Sequence, residues 1–334
     1  MSERASSTRM RVNVIAWDNG VGLGRDLRLV SRHLAAAGID SRISSYRRGK
    51  LVKWFGPHLM RLRGLSMVMG LVPRYDVNIY IEHIRPEFRR MARRNLLMPN
   101  PEWFDERDEH LLPMIDGVLA KTDQAEAAFA RTETPVVKCG FTSEDRMDAS
   151  VARVPTFFHL AGRSTAKGTR MLLTTWQRHP EWPLLTVVQN PRTAGEVVVA
   201  PNIDHRVGYI DDAELRELQN RHLFHLCPSE AEGFGHYIGE ALSVGAIVLT
   251  TDGAPMNELV DHGRGILIPA AGMQPLRRGF RYRVTPEAVE SAVQRALGLD
   301  EAERTAMSAA ARDFFVRNDA GFPDRLAAAL ATLG

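Results

Sequence analysis

The stretch that decides the fold is His225–Thr251, HLCPSEAEGFGHYIGEALSVGAIVLTT. An apolar run ends at Cys227, and Pro228-Ser229 closes it as a strand end. Glu232-Gly233-Phe234-Gly235 follows, then a helix-compatible run, His236–Val244, then Gly245 and a β-rich run, Ala246–Thr251. Strand, loop, helix and strand in that order is the grammar of a parallel sheet, which makes the chain α/β. Gly233 and Gly235 can take positive φ and let a ligand approach the backbone. The helix start beyond them offers N–H groups and partial positive charge, a natural place for phosphate. Glu232 and Glu240 lie eight residues apart and can face one crevice, where carboxylates would accept hydrogen bonds from sugar hydroxyls. Two solvated glutamates fit the bare spacing equally well.

Working outward, Thr156–Ala161 reads as a strand, followed by Gly162-Arg163-Ser164-Thr165-Ala166-Lys167-Gly168 and a helix through Trp176. A guanidinium and an ammonium four residues apart in a loop entering a helix suit a diphosphate: Arg163 grips two oxygens and Lys167 adds a point charge. Leu184–Gln189 is the next strand, and Val207–Asp211 precedes a helix over Asp212–Asn220. Helices are expected at Thr285–Leu297, Asp300–Phe315 and Asp324–Leu333.

The string from Pro228 to Thr251 resembles the PS-x-x-EGFG-x-x-x-x-EA-x-x-x-G-x-PVV-x-T signature of retaining, family-4-like (group 1) glycosyltransferases, departing mainly at Ile247. Gly162–Gly168 is similar to that family's GR-x-x-x-KG element, and Pro255–Val260 and Gly263–Leu267 resemble its PE-x-V and NG-x-L segments. The resemblance implies a GT-B fold, two Rossmann-like domains with parallel sheets facing an interdomain cleft. It places Glu232 beside the donor sugar, Glu240 on the nucleotide ribose, and Gly233, Phe234 and Gly235 against the donor phosphates and sugar. Arg163 and Lys167 would stabilise the departing nucleoside diphosphate, taking the charge role that a metal has in other transferases, so no cofactor or metal is expected. Tyr209 and Ile210 would contact the base, and Glu258 would serve structure near the donor edge.

The 334 residues, 44% hydrophobic and 25% charged, suit two domains, each able to bury a core. The boundaries expected are 1–150 for an acceptor-side domain, 151–315 for a nucleotide-sugar domain, and 316–334 for a helix crossing back. Thr142–Arg153 reads as the linker. No apolar run approaches the ~20 residues that span a bilayer, and MSERASSTRMRV lacks the apolar core of a signal peptide. Cys139 and Cys227 show no metal-ligand spacing, and a cytoplasmic setting is the simplest expectation.

In the first half, Met10–Trp17 is a strand, and Val21-Gly22-Leu23-Gly24-Arg25 leads into a helix ending near Gly38. The family's loop here is GG-x-GR; Gly22, Gly24 and Arg25 match it and Val21 does not. By resemblance, Gly22 would approach the donor diphosphate or the transferred sugar, with Gly24 in the same substrate loop. Asp76–Ile84 is a strand that delivers Glu82 and His83 at its C-terminal end, where ligands of open sheets bind. These are candidates for acceptor contact, and by resemblance His83 would lie near the transferred sugar; a structural histidine is the other reading. Leu96–Phe104, with Pro99 and Pro101, reads as an irregular loop. Gly117–Thr122 is a strand and Asp123–Arg131 a helix.

The formal charge is +3, yet no acidic residue occurs between Ser41 and Tyr75, where Arg42, Arg47, Arg48, Lys50, Lys53, Arg61, Arg63 and Arg74 alternate with apolar side chains from Leu51 to Val72. A helix with a solvated basic face, peripheral contact with an anionic membrane at its inner surface, and phosphodiester backbone all fit this stretch. The reaction expected is metal-independent transfer from an NDP-sugar, with retention, to an acceptor hydroxyl, glycan or lipid-linked, in glycan or glycolipid assembly. A transferase acting on nucleic acid, a GT-B epimerase and a non-catalytic nucleotide-sugar-binding module stay open.

Overall fold

The computed structural model describes residues 9–17, 22–46 and 50–334. It divides into two units, Met1–Phe141 with Gly321–Gly334, and Thr142–Ala320.

The first unit runs β1 (Arg11–Trp17), α1 (Gly22–Ala36), β2 (Asp40–Tyr46), α2 (Lys50–Val68), β3 (Tyr75–Ile81), β4 (Ala92–Met98), α3 (Glu106–Leu111), β5 (Gly117–Ala120), α4 (Asp123–Phe129) and β6 (Val136–Lys138). Its six strands form one parallel sheet in the order β2-β1-β3-β4-β5-β6. Strands buried on both faces read as continuous apolar runs, and Val12, Val14, Ile15, Ile79, Ile81, Leu96 and Val118 are accordingly sealed from solvent. Through this apolar sheet runs a polar ladder. Asn13 Nδ2 donates to Asn78 Oδ1 and Asn78 Nδ2 to Asn95 Oδ1, both at 2.9 Å, while Ser44 donates to Asn13 at 2.7 Å.

The second unit runs β7 (Val154–Gly162), α5 (Thr169–Arg178), β8 (Leu185–Gln189), β9 (Ile203–Val207), α6 (Asp212–Arg221), β10 (His222–Cys227), α7 (His236–Ser243), β11 (Ile247–Asp252), α8 (Met256–Leu259), β12 (Gly265–Pro269), the hairpin β13 (Gly272–Leu276) and β14 (Gly279–Arg283), α9 (Pro286–Gly298) and α10 (Glu301–Leu333). Its sheet is parallel in the order β12-β11-β10-β7-β8-β9. Numbered from β7, this is the 3-2-1-4-5-6 order of dinucleotide-binding folds, with the topological switch between β7 and β10. Phe157, Trp176, Phe224, Leu249 and Val293 make its core. The segment 142–153 is fastened down in this unit. Arg146 is buried and bonds Gln219 Oε1 at 2.9 Å and Asp212 Oδ1 at 2.8 Å.

Three expectations need correction. Leu96–Met98 is the buried end of β4 rather than a loop, because it pairs with both β3 and β5; the prolines act only afterwards, in a 3₁₀ turn at Pro101–Trp103. The two C-terminal helices are one, α10, which continues through Pro323. An internal proline costs about 3 kcal/mol. Here the fully buried Phe322, edge-on to Phe141 at 5.4 Å and to His33 at 5.0 Å, offsets that cost. Of the glycine pair in the loop after β10, only Gly235 is left-handed, with φ 98°.

Candidate functional site

In open α/β sheets ligands bind beyond the carboxyl ends of strands, at the switch point. In the second unit that point is marked by the loops after β7 and β10, which are sewn together. Glu230 N donates to Ala166 O at 2.8 Å, and a Cβ on Gly168 would stand 2.9 Å from Pro228 O. Gly168 (φ 70°) and Gly235 (φ 98°) end these loops and start α5 and α7. Neither helix has a side-chain cap or an acid in its first turn, whereas α4, α6 and α9 are capped by Thr122, Asp211 and Thr285. Two helix starts therefore lack a capping side chain, and both ends carry partial positive charge.

Lys167 and Glu232, two of the side chains predicted from sequence, come together here. Lys167 Nζ lies 3.5 Å from the centroid of the Tyr237 ring. Tyr237 is buried, and burial first, then the nearby Cys227 and Glu232, push its phenol well above the usual range. Ser229 Oγ donates to Glu232 Oε1 at 2.5 Å, and Tyr237 is in contact with the same hydroxyl. A serine has one proton and an ionised carboxylate has none, so the phenol donates to Ser229 and Ser229 to Glu232. This chain links Lys167 to Glu232, and sequence reading missed both of its middle members. Tyr237 and Ser229 stand inside the very motif that was read, but their hydroxyls carried no signal of their own.

Arg163 is exposed on the loop after β7. Gly233 and Phe234 are buried, and the Phe234 ring meets His236 edge-on at 5.5 Å. Glu240, 1% exposed in the second turn of α7, accepts from Gln219 Nε2 at 2.9 Å, and Gln219 is held in turn by Arg146. Tyr209 lies apart, 92% exposed after β9, while Ile210 packs on Phe158, Val188 and Leu218. Three buried histidines, His159, His222 and His225, are pushed down by burial to about 4, 4 and 3 and are neutral structural residues.

The first unit has its own cluster at the ends of β1 and β3. Gly22 opens α1 and Gly24 is buried in it; Val21 and the Asp18-Asn19-Gly20 turn lie outside the described residues, as do Arg47 and Arg48. Strand β3 stops at Ile81, so Glu82 and His83 stand in the turn beyond it. Glu82 has φ 71°, a left-handed conformation that a non-glycine residue adopts at a cost of order 1–3 kcal/mol. His83 Nδ1 is 2.6 Å from Asp108 Oδ2, and Nε2 is 3.3 Å from Glu82 Oε1. Glu82 Oε2 accepts from Asn100 at 2.9 Å; Asn100 Oδ1 accepts from Lys121 at 3.0 Å; Lys121 reaches Asp26 at 2.8 Å. Hydrogen bonds to Asp108 and Glu82 hold the imidazole pKa up at about 9. Asp26, Asn100, Asp108 and Lys121 were not singled out from sequence, because each partner is 18 or more residues distant and no motif joins them. Among the described residues, no group of three His, Cys, Asp or Glu side chains is arranged to hold a metal ion.

Residues 155–278 match the family model described as glycosyl transferases group 1. The chain is similar in structure to sucrose-phosphate synthase from Thermosynechococcus elongatus, with 14% identity and a TM-score of 0.70 over 97% of this chain and 99% of that one. It is similar to HepE of Anabaena in complex with UDP-glucose, with 14% identity and a TM-score of 0.70 over 97% and 100%. It is also similar to a trehalose-6-phosphate synthase studied for glycosyltransfer with retention, with 13% identity and a TM-score of 0.66 over 97% and 99%. No curated protein matches the chain. The structural likeness shows the fold, which is GT-B with two Rossmann-like units. The group 1 match falls on the segment that holds Arg163, Lys167, Tyr209, Ile210 and Glu232–Glu240.

Proposed function

We propose that this chain, GT-B in fold and group 1 glycosyl transferase in its residues 155–278, moves a hexosyl group from an NDP-sugar to an acceptor hydroxyl with retention of configuration. The observation that carries the reading is the pair of uncapped helix starts, α5 and α7, beside Lys167 and Arg163 at the switch point of the second unit. When the anomeric C–O bond breaks, negative charge develops on the departing diphosphate. Two helix ends, a guanidinium and an ammonium meet that charge, which supports transfer without a required metal. The acceptor oxygen bonds the anomeric carbon on the face the diphosphate leaves, and its proton goes to the leaving phosphate oxygen.

Glu232, oriented by Ser229, accepts from hydroxyls of the donor sugar, and Glu240 from those of the ribose; Gly233, Phe234 and Gly235 form the wall behind them. Tyr209 gives an exposed ring for the base. Acceptor handling falls to the first unit, where Glu82 and His83 stand in the turn beyond β3. The fold relatives HepE and trehalose-6-phosphate synthase support a UDP-hexose as the first donor to try and retention as the outcome. The acceptor is a glycan or a lipid-linked sugar, in a cytoplasmic setting with peripheral contact at an anionic membrane; no described helix is long and apolar enough to cross one.

The test is a panel of nucleotide sugars, without metal, read by thermal stabilisation and slow donor hydrolysis. A ligand at about 100 times its dissociation constant adds about 2.7 kcal/mol to the folded state. One hit that disappears in Lys167→Ala supports the reading. Release of an isomerised free sugar would move it to an epimerase, and a panel without any hit would overturn the donor site.

A further inference from the structure

A surface helix ordinarily turns its apolar stripe inward and its charges to water. Helix α2 does the reverse. Among its described side chains the buried positions are Gly56, Gly64 and Met67, with Met60 partly buried. Gly64 packs so tightly on the 3₁₀ turn Pro86–Met91 that a Cβ there would stand 3.0 Å from Cβ of Arg90. The opposite side of the helical wheel carries Trp54, Phe55, Leu59, Leu62, Leu65 and, just past the helix end, Met69. Each is at least 41% exposed, and Trp54 is 78% exposed. Single exposed leucines need no explanation, but six large apolar side chains on one face, with exposed His58 among them, do.

The charges lie at its borders. Arg61 and Arg63 flank the apolar face on the helix itself, and Arg89 and Arg90 are exposed on the 3₁₀ turn packed beneath it. Arg93 and Arg94 lie near Asp76 and Asp116 and add less. No acidic residue occurs from Ser41 to Tyr75 to oppose them.

We propose that α2 lies in the headgroup layer of an anionic bilayer, its apolar face at the acyl boundary and these arginines on lipid phosphates. The combination selects the occupant. A polyanion without an apolar phase would satisfy the arginines and leave six apolar side chains in water. A second copy placed on the same face by two-fold symmetry would bring like-charged arginines together. An anionic bilayer takes both parts at once. The inference stands without the sugar-transfer reading; joined to it, the acceptor is one presented at the bilayer.

The experiment floats the full chain with phosphatidylcholine vesicles and with vesicles containing phosphatidylglycerol, at low and high salt, without nucleotide sugar. Recovery with anionic vesicles should exceed that with zwitterionic ones more than tenfold. Leu59→Glu/Leu62→Glu should abolish it, and Arg61→Glu/Arg89→Glu should weaken it several-fold. Phe55→Ser carries the same expectation as the leucine pair should that variant not fold. Absence of flotation overturns the proposal. So does salt-sensitive binding that ignores the leucine variants, which would mark a bare polyanion site, or a dimer in solution that those variants dissolve. Donor stabilisation measured on the same preparation is independent of α2, so failure here and failure of the donor site are told apart.

Discussion

His83 should be an imidazolium at neutral pH, and its titration gives the sharpest check on the first unit's cluster. Both ring nitrogens face carboxylates, Asp108 at 2.6 Å and Glu82 at 3.3 Å. Only the doubly protonated ring can donate to both, so the geometry favours the cation. The pKa rises from the usual 6.5 to about 9, with the Asp108 hydrogen bond the largest cause, the Glu82 hydrogen bond next, and partial burial opposing both. That gap corresponds to at most about 3.4 kcal/mol. The side chain is 38% exposed, and solvent screening brings the expected contribution to about 1–2 kcal/mol. A folded pKa above the unfolded one stabilises fully below about pH 6.5, and the contribution is lost as pH rises through about 9. Wild type should therefore exceed His83→Gln in denaturant stability by more at pH 6 than at pH 9.5, by about 1–2 kcal/mol. The proton resonance of the His83 ring should titrate near 9 and fall toward 6.5 in Asp108→Asn. A wild-type value at or below 6.5 would refute the argument and free His83 to act as a base. If the cation is instead what the reaction uses, turnover should fall as pH rises through about 9.

The remaining expectations concern binding and packing. Lys167→Met should weaken nucleotide-sugar binding by roughly 10- to 100-fold, the size of a lost charge-assisted contact, measured by calorimetry against an unchanged far-ultraviolet spectrum. Gly239→Ala should cost about 1–3 kcal/mol in thermal unfolding, because its Cβ would stand 2.4 Å from Ser143 Oγ; Ser143→Gly in the same chain should recover part of the loss. Asn78→Leu should cost about 1–3 kcal/mol in urea unfolding, since it removes the acceptor of the buried Asn13 Nδ2 and leaves Asn95 Oδ1 with only the Tyr80 hydroxyl. A neutral effect would mean that the ladder contributes specificity rather than stability.

The βαβ run around Glu232 was legible because its chemistry is local. Strand end, glycine turn, helix start and second strand follow one another within His225–Thr251, and the structure sets them as β10, α7 and β11. The same holds for Gly162–Gly168 before α5. What escaped was whatever depends on partners far along the chain. Strand β2, Asp-Ser-Arg-Ile-Ser-Ser-Tyr, has too few apolar residues to announce itself, and exists because it pairs residue for residue with β1. Likewise, Asn13, Asn78 and Asn95 are unremarkable singly and become a ladder only once β1, β3 and β4 fall into register. The His83 cluster depends on Asp108, 25 residues on, and Lys121 finds Asp26 across 95.

Helix α2 teaches a different lesson, because there the local pattern was visible and its direction was not. Periodicity reports that apolar and basic residues alternate around a helix; it does not report which side meets the protein. The usual inference assigns the larger apolar side to the core. At α2, the side that fits the body sets Gly56 and Gly64 beside Met60 and Met67, and Gly64 allows the helix to close onto the 3₁₀ turn at Arg90. A leucine in that position would hold the helix off the turn. The apolar side chains consequently face out, with Arg61 exposed beside them, for a reason written in glycines rather than in leucines. The same reasoning gives the variant that would reverse it: Gly64→Leu should lift α2 from the 3₁₀ turn and lower thermal stability, where the same change at an exposed helical glycine would raise it by up to ~1 kcal/mol. Unchanged stability would mean that α2 is not seated on Gly64 at all, and its outward apolar face would lose its structural explanation.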